Sequence, residues 1–209
     1  MEKKMEISKE IIAEEICNME KHYRKLEELF ATKPIPECRR ISETLETLKQ
    51  IQYHKKYPNL KSKYPWLGSN SYFGKTIYMF SVNNFPYSKE EIDKIFGEIS
   101  SKSQTEKVLL CRRNVDSPEW ENVQKNKSVC LYVGSSDGIR QRLKEHLFLC
   151  NSSAYAMHLE KWFDPNLTIT IHTWGFYEFL NGEHSDYIQN IEDILWNHYK
   201  PLFGRQGKK

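Results

Sequence analysis

No stretch of this 209-residue chain approaches the roughly 20 consecutive apolar residues that a membrane-spanning helix needs, and the charged opening MEKKMEISKE has no apolar signal-peptide core. A soluble, cytoplasmic protein that makes no membrane contact is therefore expected. Cysteine is sparse: Cys17, Cys38, Cys111, Cys130 and Cys150 include no CxxC pair and no metal-knuckle spacing. Their odd number, with Cys130 beside Leu131 and Cys150 after Phe148-Leu149, points to free thiols in a reducing compartment rather than to a disulfide framework. Charge of one sign is also lacking. The net charge is only +3, so no global field announces a polyanion partner. The basic residues are uneven, however. Lys55-Lys56, Lys61, Lys63, Arg112-Arg113, Lys125, Lys127, Arg205, Lys208 and Lys209 gather near the segments singled out below, which suits phosphate contacts as well as a solvated surface.

What is present is concentrated in KSVCLYVGSSDGIRQRLKEHLFL, from Lys127 to Leu149. It reads as a strand, a tight turn and a helix. Strand alternation points Val129, Leu131 and Val133 into a core and turns Cys130 and Tyr132 the other way. The turn Gly134-Ser135-Ser136-Asp137-Gly138 offers backbone N–H groups and two hydroxyls to a phosphate-sized group. In the helix, Ile139, Leu143 and Leu147 recur every four residues as a packed stripe. Arg142 and His146, also four apart, lean off one edge of that stripe toward the end of the strand.

Upstream, Ile12, Ile16, Met19, Tyr23, Leu26 and Phe30 form a helical stripe that Pro34 and Pro36 break. Ile41, Leu45, Leu48 and Ile51 resume the pattern to about His54, so residues 1–75 are read as a helical hairpin followed by a basic, aromatic loop. That loop interleaves lysines with Tyr57, Tyr64, Trp66 and Tyr72, a composition that either holds a nucleic-acid backbone or pins the helices to a sheet. Residues 76–209 are read as a second, α+β domain built on a small three-stranded mixed or antiparallel sheet flanked by helices. Its elements are a strand Thr76–Val82, a helix capped by Ser88 and Glu91, a strand Lys107–Arg113, the Tyr132 strand and its helix, a helix Ser153–Trp162, a strand Leu167–Tyr177 and a last helix from Asp186. Tyr155 and His158 are further candidates for the site, with a structural role as the alternative. In the last helix Glu192 shares the apolar face of Ile188, Ile191 and Leu195. A carboxylate buried there needs a cation, either an Arg or Lys or a divalent metal.

These residues carry a resemblance. YVGSSDGIRQRLKEH resembles the second half of the GIY-YIG nuclease signature, with Tyr132, Val133 and Gly134 at the YIG element and Arg142 and His146 at the helix positions that follow it. NIEDILWNHYKPLFGRQGKK resembles the closing helix of that family, with Glu192 at its glutamate, Leu195-Trp196 at its apolar pair and Pro201 at its proline. The likeness covers roughly Lys107 to Gln206. Two strands compete for the first, tyrosine-bearing motif. VLLCRR lies nearer but offers Leu110 or Cys111, while GKTIY offers Tyr78 at the cost of a long insertion before Tyr132. Gly204 stands where the family generally has an asparagine; either a neighbour such as Asn197 or Gln206 substitutes, or cleavage is weakened or altered in this form.

The resemblance implies a metal-dependent DNA endonuclease. Glu192 is expected to hold Mg²⁺ or Mn²⁺, an ion that favours oxygen ligands and keeps several waters. Arg142 would stabilise the phosphoryl transition state, and Tyr132 or Tyr78 would orient or deprotonate water and hand its proton to His146. DNA is the expected partner, with the N-terminal helices supplying DNA contacts or a homodimer interface. The rival expectation is a nucleic-acid-binding module that keeps the fold without full chemistry.

Overall fold

The computed structural model describes residues 36–53, 76–101, 109–125, 127–148, 154–176 and 185–206, together with scattered positions between 17 and 32. The chain divides into two compact units, Met1–Pro36 and Glu37–Lys209. In the first, every described position from Cys17 to Thr32 is helical, in keeping with the apolar stripe there. The lysine- and tyrosine-rich stretch 54–75 lies outside the described residues. Among the described residues no helix is long and apolar enough to cross a membrane.

The second unit is α+β, as expected, but its sheet has four strands rather than three. β1 (Arg39–Thr44), β2 (Thr76–Asn83), β3 (Ser128–Ser136) and β4 (Thr168–Gly175) lie in the order β1-β4-β2-β3. All three pairings are antiparallel. Around them stand α1 (Leu45–Tyr53), α2 (Lys89–Ser100), α3 (Glu119–Gln124), α4 (Ile139–Leu147) and α5 (Ser185–Tyr199). The extra strand, RRISET, falls within the stretch read as the second helix of a hairpin. Only Ile41 of its six residues is buried, so its single inward apolar side chain carries no period of its own, and Ile41 happens to continue the spacing of Leu45 and Leu48. Pairing with β4 decides its conformation. Thr44 ends the strand and starts the helix, its hydroxyl accepting the N–H of Thr47 at 3.1 Å. With β1 part of the sheet, the second compact unit begins at Glu37.

Two further expectations change. The described part of the expected strand 107–113 is not in the sheet and makes two isolated bridges, Leu110 with Ala156 and Arg113 with Phe203. The expected helix 153–162 is, where described, an extended segment closed by a short 3-10 turn, Leu159–Lys161. Its N–H groups leave the helical pattern for tertiary acceptors. Ala156 N donates to Leu109 O at 3.1 Å and Met157 N to His146 Nδ1 at 3.2 Å, and His158 takes a left-handed φ of 47°. The capping box at α2 forms as its sequence dictates, with Glu91 N on Ser88 Oγ and Ser88 N on Glu91 Oε2.

β2 is buried along nearly its whole length because both sheet faces are covered. On one face Tyr78, Phe80, Val82 and Ile171 pack with Leu45, Leu48, Phe96, Leu143 and Phe203. On the other, Met79, Cys130 and Val133 pack against Trp174 and, from α5, Leu195, Trp196 and Tyr199. Simple alternation would have put Val133 on the first face and Tyr132 on the second. The register runs Phe80↔Tyr132 and then Ser81↔Cys130, so Leu131 has no partner across β2. It is a β-bulge, and it exchanges the faces of everything after it. The C-terminal tail supports the bulge: Phe203 N donates to Leu131 O at 2.9 Å and Leu202 N to Cys130 O at 3.0 Å.

Candidate active site

The bulge brings the two candidate tyrosines together. Tyr132 now projects from β3 on the same face as Tyr78 of β2, and the rings stack with centroids 6.0 Å apart and planes 10° from parallel. The alternative first motif, with Leu110 or Cys111, is not on a strand paired with β3. A long connection, from Asn84 to Lys127, separates β2 from β3 in the sequence. Gly134, opposite Tyr78 in the register, explains why no side chain follows Val133 there. A Cβ would meet Tyr132 Cε1 and the Tyr78 hydroxyl oxygen at 2.7 Å each.

α4 buries Ile139, Leu143 and Leu147 as its spacing predicts, and so aims Arg142 and His146 at the phenols. Arg142 Nε donates to the Tyr78 oxygen at 3.2 Å and Nη2 to the Tyr132 oxygen at 3.4 Å. Nη2 also donates to the Tyr155 carbonyl at 2.7 Å, and Nη1 pairs with Glu145 Oε2 at 3.0 Å. These contacts account for four of the five N–H donors that a guanidinium carries. Burial works against the charge of Arg142, but the two phenols and Glu145 outweigh it, so its pKa is raised and the group is a cation at every working pH.

His146 is fully buried, with its Nε2 at 3.1 Å from the Tyr78 oxygen. Its other nitrogen fixes the tautomer. Nδ1 accepts the Met157 N–H and so carries no proton, which leaves the proton on Nε2 as a donor to Tyr78. Burial, then Arg142 and His158, hold its pKa well below the usual histidine value. The expected transfer of the tyrosine proton to His146 is thus not available in this arrangement, because the facing nitrogen already bears a hydrogen. Tyr78 accepts from both Arg142 and His146 and is 1% exposed, whereas Tyr132 is only half-buried. Burial raises the pKa of both phenols, of Tyr78 most, so both are protonated at neutral pH.

Glu192 belongs to the opposite face. Past the bulge, Ser135 turns toward α5, and its hydroxyl donates to Glu192 Oε2 at 2.6 Å. Burial raises the carboxyl above its ordinary pKa, opposed by hydrogen bonds from Ser135 and by the charge of Arg142. Among the described residues no Arg or Lys lies within ion-pair distance of it, so the salt bridge that the sequence allowed is not made there. The charge of Glu192 is nonetheless felt at both phenols across the edge strand. Among the described residues no three His, Cys, Asp or Glu side chains gather as a metal cluster. The donor set is one carboxylate withdrawn from water and held by neutral hydrogen bonds, which fits a hard cation that keeps most of its waters.

Searches of known protein families, curated proteins and solved structures return no match to this chain.

The remaining candidates divide. Ser136 Oγ takes the Gly138 N–H at 3.1 Å, so with Ser135 on Glu192 both turn hydroxyls already have partners. Tyr155 joins the site through its carbonyl, while the residue is 64% exposed. His158 is buried, with Nε2 3.2 Å from the Ala154 carbonyl oxygen. Asn197 and Gln206 are exposed. Gly204 has a backbone reason: its φ is 97°, its N–H donates to Arg112 O at 2.7 Å, and a Cβ would lie 3.0 Å from the Tyr132 ring. Glu145 was not singled out beforehand, and Ser135 was only as a turn hydroxyl for a phosphate, not as a partner of Glu192. Glu145, three residues from Arg142 on the same helix, was open to detection as an i,i+3 pair, whereas the meeting of Ser135 with Glu192 spans 57 positions and leaves no local trace.

Proposed function

We propose that the chain is a metal-dependent DNA endonuclease that hydrolyses phosphodiester bonds, of restriction or mobile-element type, with a GIY-YIG-like catalytic domain. The observation that carries this reading is the stacked Tyr78–Tyr132 pair bridged by Arg142, with the uncompensated Glu192 carboxylate across the edge strand. Glu192 would hold a Mg²⁺ or Mn²⁺ ion, which when bound would supply Lewis-acid stabilisation of the phosphate and the leaving oxygen. Arg142 places a permanent positive charge beside the phenols, where charge grows on the phosphate. Tyr132, the more exposed phenol, orients the attacking water by a hydrogen bond. Tyr78 holds Arg142 in position, and His146 in turn holds Tyr78.

One observation favours a second reading, a nucleic-acid-binding module with little or no cleavage. Arg142 directs four donors at protein acceptors, which leaves a single N–H for a phosphate. Supercoiled plasmid separates the two. Nicking in Mg²⁺ that stops in EDTA and in Glu192→Gln supports the nuclease. Salt-sensitive DNA binding without nicking supports the module, and neither binding nor nicking sinks both.

A further inference from the structure

On the sheet face away from the phenols, a second set of reactive side chains lies outside the candidate site. Cys38, just before β1, is exposed, and its Sγ is 3.8 Å from His172 Nδ1 on β4. The other imidazole nitrogen of His172, Nε2, is 3.3 Å from Ser81 Oγ on β2. Both contacts are met in the tautomer that activates the thiol, with Sγ facing an unprotonated Nδ1 and the Nε2 hydrogen on Ser81, and equally in the reverse one. A nucleophile touching a base whose far nitrogen is held by a third group is the arrangement that activates a weak nucleophile. We propose that Cys38, His172 and Ser81 form a thiol-modification site that reacts with small disulfides.

The chemistry is thiol–disulfide exchange. Cys38 passes its proton to His172 Nδ1 as its sulfur bonds to one sulfur of the disulfide. The disulfide bond breaks, and the departing thiolate takes the proton back from His172. No external oxidant or reductant enters. Burial lifts the Cys38 thiol above its ordinary range, which works against a pre-formed thiolate, so a lead of Cys38 over Cys17 has to come from the base in contact with it. Burial and the neighbouring Arg40 hold the His172 pKa below its ordinary value, so at neutral pH the ring keeps one unprotonated nitrogen. The Arg39 carbonyl, also 3.8 Å from the thiol, is the competing acceptor. With no third His, Cys, Asp or Glu in the group among the described residues, a metal site is the weaker reading.

Cys17 provides the internal reference, being exposed with no imidazole contact among the described residues. The folded full-length protein is incubated with oxidised glutathione, and adducts are followed by peptide mass mapping. Cys38 is expected to react about tenfold faster than Cys17 or more. In His172→Gln its rate falls to that of Cys17, and in Ser81→Ala it falls part of the way. In guanidinium the lead of Cys38 vanishes. Equal rates in the folded parent overturn the proposal, as does a lead that survives His172→Gln or denaturation. If His172→Gln does not fold, Ser81→Ala decides, and an unchanged lead there overturns it.

Discussion

The buried imidazole of His146 donates from Nε2 to the hydroxyl oxygen of Tyr78 at 3.1 Å while its Nδ1 receives the Met157 N–H. The histidine is therefore locked neutral, with consequences for stability. Its folded pKa lies well below the unfolded value near 6.5, so the unfolded chain gains a proton that the folded chain refuses. Stability is expected to fall as pH drops below about 6.5, by about 1.4 kcal/mol per pH unit for this one group. Denaturant melts of the parent and of His146→Gln between pH 7 and 5 test this, and parallel curves would refute it.

Glu192 has the opposite sign. Its folded pKa is raised above the ordinary carboxylate value, so the ionised form weakens the metal-free protein as pH climbs from that value through the raised one. Glu192→Gln keeps an acceptor for Ser135 and removes the charge, so its melting temperature without metal is expected to equal or exceed that of the parent. Mg²⁺ is expected to raise the melting temperature of the parent above this pH window and to leave Glu192→Gln unmoved. An equal Mg²⁺ effect on both would remove Glu192 as the ligand.

Arg142→Lys is not conservative here. A lysine has no planar fork with which to meet Tyr78, Tyr132, the Tyr155 carbonyl and Glu145 together. A loss of about 2 to 3 kcal/mol of stability and on the order of a hundredfold or more of any nicking rate is expected. Chemical denaturation and single-turnover cleavage measure the two effects separately.

Gly134→Ala places a methyl where two phenols already sit 2.7 Å away. Overpacking at this site is expected to cost about 1 to 3 kcal/mol and to part the Tyr78–Tyr132 stack. A red-edge change in tyrosine near-UV dichroism accompanying the stability loss is the readout, and a protein as stable as the parent would show that the ring pair has room to move.

Local signals carried further in some elements than in others. α4 was fully legible, because Ile139, Leu143 and Leu147 state which face is buried and thereby where Arg142 points. So was the start of α2, since a capping box is closed within four residues. β1 was not, since one buried isoleucine fits a strand and a helix equally well. The segment 154–158 was misread because its hydrogen bonds go to Leu109 and His146 instead of along a helix.

The order of residue types along the chain determined by itself that Arg142 and His146, four apart, would lean off one edge of α4, since helical spacing fixes that geometry. Whether Tyr132 met Tyr78 was decided only in three dimensions. One unpaired residue, Leu131, turns the phenol across the sheet, and that bulge depends on β2 and on the C-terminal tail, which hold β3 from far away in the sequence. The proton on His146 was decided there too, because a backbone N–H from Met157, on a segment whose own pattern suggested a helix, fills the nitrogen that would otherwise have accepted it.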